Sequence, residues 1–96
     1  MKVQLRTYRI RPGSLDLFAD EWRQKILPLR AKLGFEIVGA WKVAETSEFV
    51  WILRHDGPEE WTVLDRAYHE SDERRRMDPN PARLIQGSKE HWIEDA

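Results

Sequence analysis

The sequence predicts a single α+β domain whose elements follow the order β-α-β-β-α-β. Three observations lead there. Stretches in which apolar and polar residues alternate open the chain and fill its middle, and stretches with three- and four-residue apolar spacing separate them. A short polar turn divides the two middle strands closely enough for a hairpin, whereas the other connections are helical. Finally, 96 residues is the length of one domain, and no repeat, low-complexity stretch or linker marks a second, so the domain spans residues 1–96.

Residues 3–11 form the first strand, with Val3, Leu5 and Thr7 alternating with Gln4, Arg6 and Tyr8. Pro12-Gly13 stops it. Ser14 is placed as a helix N-cap, and Asp16 meets the positive end of the helix dipole. Leu15, Phe18, Trp22, Ile26, Leu29 and Leu33 then make one buried stripe of an amphipathic helix. Arg30 and Lys32 sit in its last turn, with Gly34 just beyond. Pro28 removes a backbone hydrogen bond inside this helix and predicts a kink.

Residues 35–44 form the second strand. Phe35, Ile37, Gly39, Trp41 and Val43 fall on one face, and Glu36, Val38, Ala40 and Lys42 on the other. Glu45-Thr46-Ser47 makes the turn into a third strand at residues 48–55. There Phe49, Trp51, Leu53 and His55 point one way, and Val50, Ile52 and Arg54 the other. Both faces are rich in apolar residues, whereas a strand with one solvated face alternates cleanly. Helices can cover only one of them.

After Asp56-Gly57 a second helix is predicted from Pro58, with Glu59-Glu60 in its first turn and Trp61, Leu64 and Tyr68 inward. It runs through the charged residues 72–76 to a stop near Asp78-Pro79. Residues 81–85 make a short helical turn, and residues 89–94 a final edge strand. This is the split β-α-β, ferredoxin-like plan, with helices on one face of the sheet. The apolar open face predicts a twofold homodimer packed sheet to sheet.

Composition narrows the function. Sixteen Lys+Arg against 17 Asp+Glu give a net charge of −1, which provides no basic field for nucleic acid. The Arg74–Arg76 run is flanked by Asp72-Glu73 and Asp78 and reads as a solvated helix end. With no cysteine and no histidine at a metal-ligand spacing, neither a disulfide framework nor a metal site is expected. The five glycines are too scattered to cradle a phosphate, and no cofactor is expected. No apolar run approaches the ~20 residues of a membrane span, and Met1–Gln4 lead straight into a patterned strand, so a cytoplasmic protein is the expectation.

The candidate site is built from the strands. His55 ends the third strand on the Trp51 face, where sheets of this kind hold pockets, and is the candidate general base. Tyr8 is a candidate acid or hydrogen-bond donor. Arg6 and Arg54 could grip a carboxylate or phosphate, or could pair with neighbouring acids such as Glu36. Trp41 and Trp51 could line the pocket, while Trp22 and Trp61 belong to helix stripes and the core. His69 and His91 read as structural or solvated.

Three stretches carry a resemblance. Leu5–Gly13 (LRTYRIRPG) resembles the opening of NIPSNAP-family domains. Pro28–Trp41 (PLRAKLGFEIVGAW) resembles that family's helix-to-strand junction, and Phe49–Asp56 (FVWILRHD) its third strand, where the family more often has Tyr in the place of His55. The resemblance covers roughly residues 4–80 and implies the dimeric α/β-barrel superfamily, whose members pair through their sheets. That superfamily includes cofactor-independent monooxygenases, isomerases and ligand sensors.

The expected function is accordingly a pocket between sheet and helices for a small, partly apolar metabolite. A cofactor-free oxygenase or isomerase would use His55 as base, Tyr8 with Arg6 or Arg54 to stabilise an enolate, and Trp41 and Trp51 as lining. The alternative is a non-catalytic ligand-binding or protein-interaction module. Two features separate them: a cavity of at least ~300 Å³, and buried polar atoms without protein partners.

Overall fold

The structure is a computed structural model that describes residues 1–96. Four strands form one sheet: β1 (Lys2–Ile10), β2 (Glu36–Val43), β3 (Glu48–His55) and β4 (Ile85–Ile93). Their order across the sheet is β2-β3-β1-β4, and every neighbouring pair is antiparallel. This is the ferredoxin-like arrangement, in which the β2–β3 hairpin straddles the first crossover. The molecule measures 40 × 37 × 18 Å, a slab two layers thick.

The first crossover is one helical rod in three parts: α1 (Leu15–Glu21), a π-helical turn (Trp22–Ile26) and α2 (Leu27–Lys32). Just before Pro28, where the sequence predicts a kink, the helix widens into that π turn. The Leu27 N–H bonds back five residues to the Trp22 carbonyl, which places Pro28 in the first turn of α2. The widened turn relieves the clash that a proline ring makes with the preceding turn.

The second crossover begins later than the sequence predicts. Glu60 is extended and α3 covers Trp61–Glu70, so Pro58 and Glu59 lie in the loop. Ser71 then breaks the helix. Its hydroxyl donates to the Tyr68 carbonyl (2.7 Å) and accepts from the Arg74 N–H (3.1 Å), ending α3 and capping α4 (Asp72–Arg75). A 3₁₀ turn at Pro81–Leu84 leads into β4, which starts four residues before the predicted edge strand.

Gln4, Arg6, Tyr8 and Ile10 of β1 and Phe49, Trp51 and Leu53 of β3 face the helices and are buried. An aromatic chain fills the space between the layers: Phe18 meets Phe49 at 5.1 Å, and Trp22 meets Trp51 at 5.4 Å. Interior rings at such separations contribute about 0.5–1.5 kcal/mol per pair beyond their burial.

On β2 the alternation changes phase. Ile37 pairs with Leu53 and Gly39 with Ile52, so Val38 is an extra, bulged residue. Beyond the bulge, Gly39, Trp41 and Val43 lie with Val50 and Ile52 on the open face, while Ala40 and Lys42 turn to the helices. Trp41 is therefore not on the face of Trp51, as strict alternation from Phe35 predicts. A Cβ at Gly39 would lie 2.7 Å from the Trp41 indole, so the glycine makes room for this ring to lie along the open face.

Candidate functional site

Residue 6 of β1 lies opposite Trp51 of β3, in the middle of the helix-covered face. A strand position with an inward side chain normally takes an apolar residue; here it is an arginine only 3 % exposed. Arg30, on α2 directly above, is 2 % exposed. Both guanidiniums converge on one carboxylate of α3: Asp65 Oδ1 accepts from Arg30 Nη1 at 2.7 Å and from Arg6 Nη2 at 3.4 Å. Arg6 Nε also donates to Gln4 Oε1 at 2.7 Å. The Arg30 guanidinium lies 3.7 Å from the centre of the Tyr68 ring.

Two buried cations thus share one partly exposed anion. Burial works against the charge of Arg6, but Tyr8, Glu90 and Asp65 outweigh it and hold its pKa above the ordinary value. For Arg30, burial and the repulsion of Arg6 win over Asp65 and Tyr68, and its pKa is lowered. Burial would raise Asp65, yet the hydrogen bond and charge of Arg30, with Arg6 and His69, hold it below the usual carboxylate range. The buried Nε of Arg30 finds no acceptor in the protein, and neither do the indole N–H groups of Trp22 and Trp51. All three are donors. The interior beside this cluster is rich in donors and short of acceptors.

A cleft of about 210 Å³ opens between sheet and helices at this point. Arg6, Tyr8, Arg30, Tyr68, His69 and Ser88 contribute its polar lining, with Ile26 and Ile85 among its apolar walls. Arg74 and Glu90 stand at the same cleft.

The NIPSNAP family model matches residues 3–93. The chain belongs to the NIPSNAP family. An uncharacterised NIPSNAP domain protein from Burkholderia xenovorans superposes with a TM-score of 0.85 at 16% identity, covering 100% of this chain and 95% of that one. A NIPSNAP family protein from Agrobacterium tumefaciens gives 0.86 at 16% identity, covering 99% and 92%. An antibiotic biosynthesis monooxygenase gives 0.68 at 13% identity, covering 100% and 99%. At these identities the likeness shows the fold alone. No curated protein matches the sequence.

Within this NIPSNAP chain the six candidate residues separate into three places. Arg6 and Tyr8 line the cleft, whereas Trp51 is fully buried beneath them and does not reach it: Tyr8 lies edge-on to Phe18 and Trp51, and Arg6 lies 5.6 Å from the Trp51 ring. His55 is elsewhere. Tyr8 lies opposite Phe49, and the six residues from there to His55 span roughly 20 Å of strand. The His55 Nε2 lies 2.8 Å from the Glu59 carbonyl, which can only accept, so Nε2 carries the proton and Nδ1 faces the Gly57 N–H at 3.5 Å. His55 fastens the β3–α3 loop and is not the base of a site at Tyr8. Arg54 lies on the open face, clamped to Glu36 at 2.5 and 2.7 Å. Trp41 is also on the open face, half exposed.

Sequence reasoning passed over Arg30, Asp65, Tyr68 and His69. The signal available was spacing. Asp65, Tyr68 and His69 fall at i, i+3 and i+4 of α3, one face of a helix whose Trp61 and Tyr68 are buried.

Proposed function

We propose that this NIPSNAP protein binds a small, partly apolar metabolite bearing an acid group, held by Arg6 and Arg30 in the cleft. The observation that carries the reading is the sharing of one carboxylate by two buried guanidiniums at the wall of that cleft. A ligand carboxylate or phosphate would offset the surplus charge, and charge-assisted hydrogen bonds to it would each contribute about 1.5–3 kcal/mol. Tyr8, Tyr68 and Ile85 offer apolar surface to a short hydrocarbon portion. At about 210 Å³ the cleft falls short of the ~300 Å³ that separates the two expected functions, while the unpartnered buried donors meet the other condition, and the room it leaves is that of a short-chain acid.

Titration calorimetry with 2-oxobutanoate, a short keto acid, tests this. Saturable one-site binding is expected, weakened at least ~10-fold by Arg6→Gln and unchanged by Arg54→Gln. Equal affinity in the Arg6 and Arg54 variants, or no saturable binding, would remove the reading.

We also propose that the protein works as a homodimer joined through its open sheet faces. Val3, Leu5, Trp41, Val50, Ile52 and Ile93 give that face its apolar surface, Lys89 and His91 of β4 share it, and Arg54–Glu36, Arg9 and Glu48 add both charge signs. Such a surface complements a twofold copy of itself.

A further inference from the structure

We propose that His69 is the general base of a proton-transfer site in this cleft, acting on the carbon next to the keto group of a short 2-oxo acid. The inference rests on the acid-binding reading of the same cleft and adds chemistry to it. Three groups from three elements meet at Asp65 Oδ1: Arg30 Nη1 at 2.7 Å, Arg6 Nη2 at 3.4 Å and His69 Nε2 at 3.7 Å. An acid held by the two arginines therefore lies beside an imidazole. The 3.7 Å separation from Asp65 is too long for a hydrogen bond, so Asp65 does not tie up the ring. The His69 side chain is 54% exposed and lines the cleft, open to a ligand entering it. Of the three histidines it alone stands at this cleft.

The surroundings suit the free-base form. Burial lowers the His69 pKa, and although Asp65 works the other way, Arg30, Arg74 and Arg6 add to the lowering. Across the cleft stand Tyr8 and Arg6 from β1, Ser88 and Glu90 from β4, and Arg74 from α4. Burial raises the Tyr68 pKa, so its phenol stays protonated and able to donate a hydrogen bond. Donors, cations and a neutral base in one cleft are the components that enolisation requires.

In the step itself the unprotonated His69 nitrogen takes the proton from C3 of the bound 2-oxo acid. The C–H electron pair becomes the C2–C3 double bond, and the carbonyl π pair moves onto oxygen as the enolate, beside the guanidiniums. Return of a proton from imidazolium to C3 regenerates the keto form, so no oxidant, reductant or further reactant is consumed. In D₂O the imidazolium exchanges with solvent, and C3 acquires deuterium.

Proton NMR of 2-oxobutanoate in D₂O reads this directly as loss of the C3 proton signal. Wild-type protein is expected to accelerate exchange at least ~100-fold over buffer. His69→Gln should lower the rate by a similar factor while calorimetric affinity stays within ~3-fold, and His55→Gln should exchange as wild type. The wild-type rate should hold through neutral pH and fall only below the ordinary histidine range. Binding without exchange above buffer, or exchange unaffected by His69→Gln, overturns the role of His69 and leaves acid binding standing. Absence of binding overturns both.

Discussion

Asp65 is the only acid within reach of the buried Arg30 guanidinium, so removing its charge leaves a cation in the interior with no counterion. Asp65→Asn is expected to destabilise the fold by roughly 2–3 kcal/mol at neutral pH, less than for a fully buried pair because the carboxylate is a third exposed. Urea unfolding would measure it, and wild-type stability in the variant would mean that Arg30 has another counterion. Asp65 and His69 both have pKa values lowered in the folded state, so both take up protons more readily when unfolded. Their contributions are complete above the unfolded values of ~6.5 for His69 and ~3.9 for Asp65, and are lost as pH falls through those values toward the folded ones. Stability should therefore decline in two stages on acidification. At this scale the sequence is half legible. Arg6 and Tyr8 stand out because a strand fixes which way alternate side chains point. Arg30 does not, since a basic residue in the last turn of a helix is equally well explained by the dipole. Only the packing of α2 over Trp51 tells that this one is buried.

Element boundaries answer to local hydrogen bonding that periodicity does not register. The apolar stripe of the second helix, Trp61, Leu64 and Tyr68, is where the sequence puts it, yet Ser71 divides that helix from the charged turn beyond it. Ser71→Ala removes an acceptor for the Arg74 N–H and is expected to cost about 1 kcal/mol. In a domain of this size that is a fall of roughly 4–8 °C in Tm by thermal circular dichroism, and an unchanged Tm would deny the cap its role. On β2 the period-two reading holds as far as Ile37 and fails after Val38, because a bulge adds one residue without a mark in composition. That one residue separates Trp41 from Trp51 and divides an apparently continuous aromatic site between the two faces of the sheet.

The whole molecule has one layer of helices and one bare layer of sheet, and the two-sided apolar pattern of β3 makes that imbalance visible in the sequence. Four strands of eight or nine residues present roughly 600 Å² on the open face, so pairing two copies buries about 1,200 Å², within the range of stable interfaces. Sedimentation velocity should find two chains per particle at micromolar concentration, and Ile52→Lys, at the centre of the face, should give single chains. A wild-type particle of one chain would exclude the pairing. The fold also constrains which changes of length it can absorb. A π turn is an α-helix that has taken in one extra residue while the turns on either side stay in phase. Tightening Trp22–Ile26 to α geometry with every residue retained would rotate α2 by about 100° and swing Leu29 and Arg30 off the inner face. The chain can therefore lose one of Arg23, Gln24 or Lys25 and keep Arg30 in place beside Arg6, but a residue gained there would turn Arg30 away from the cleft and toward solvent.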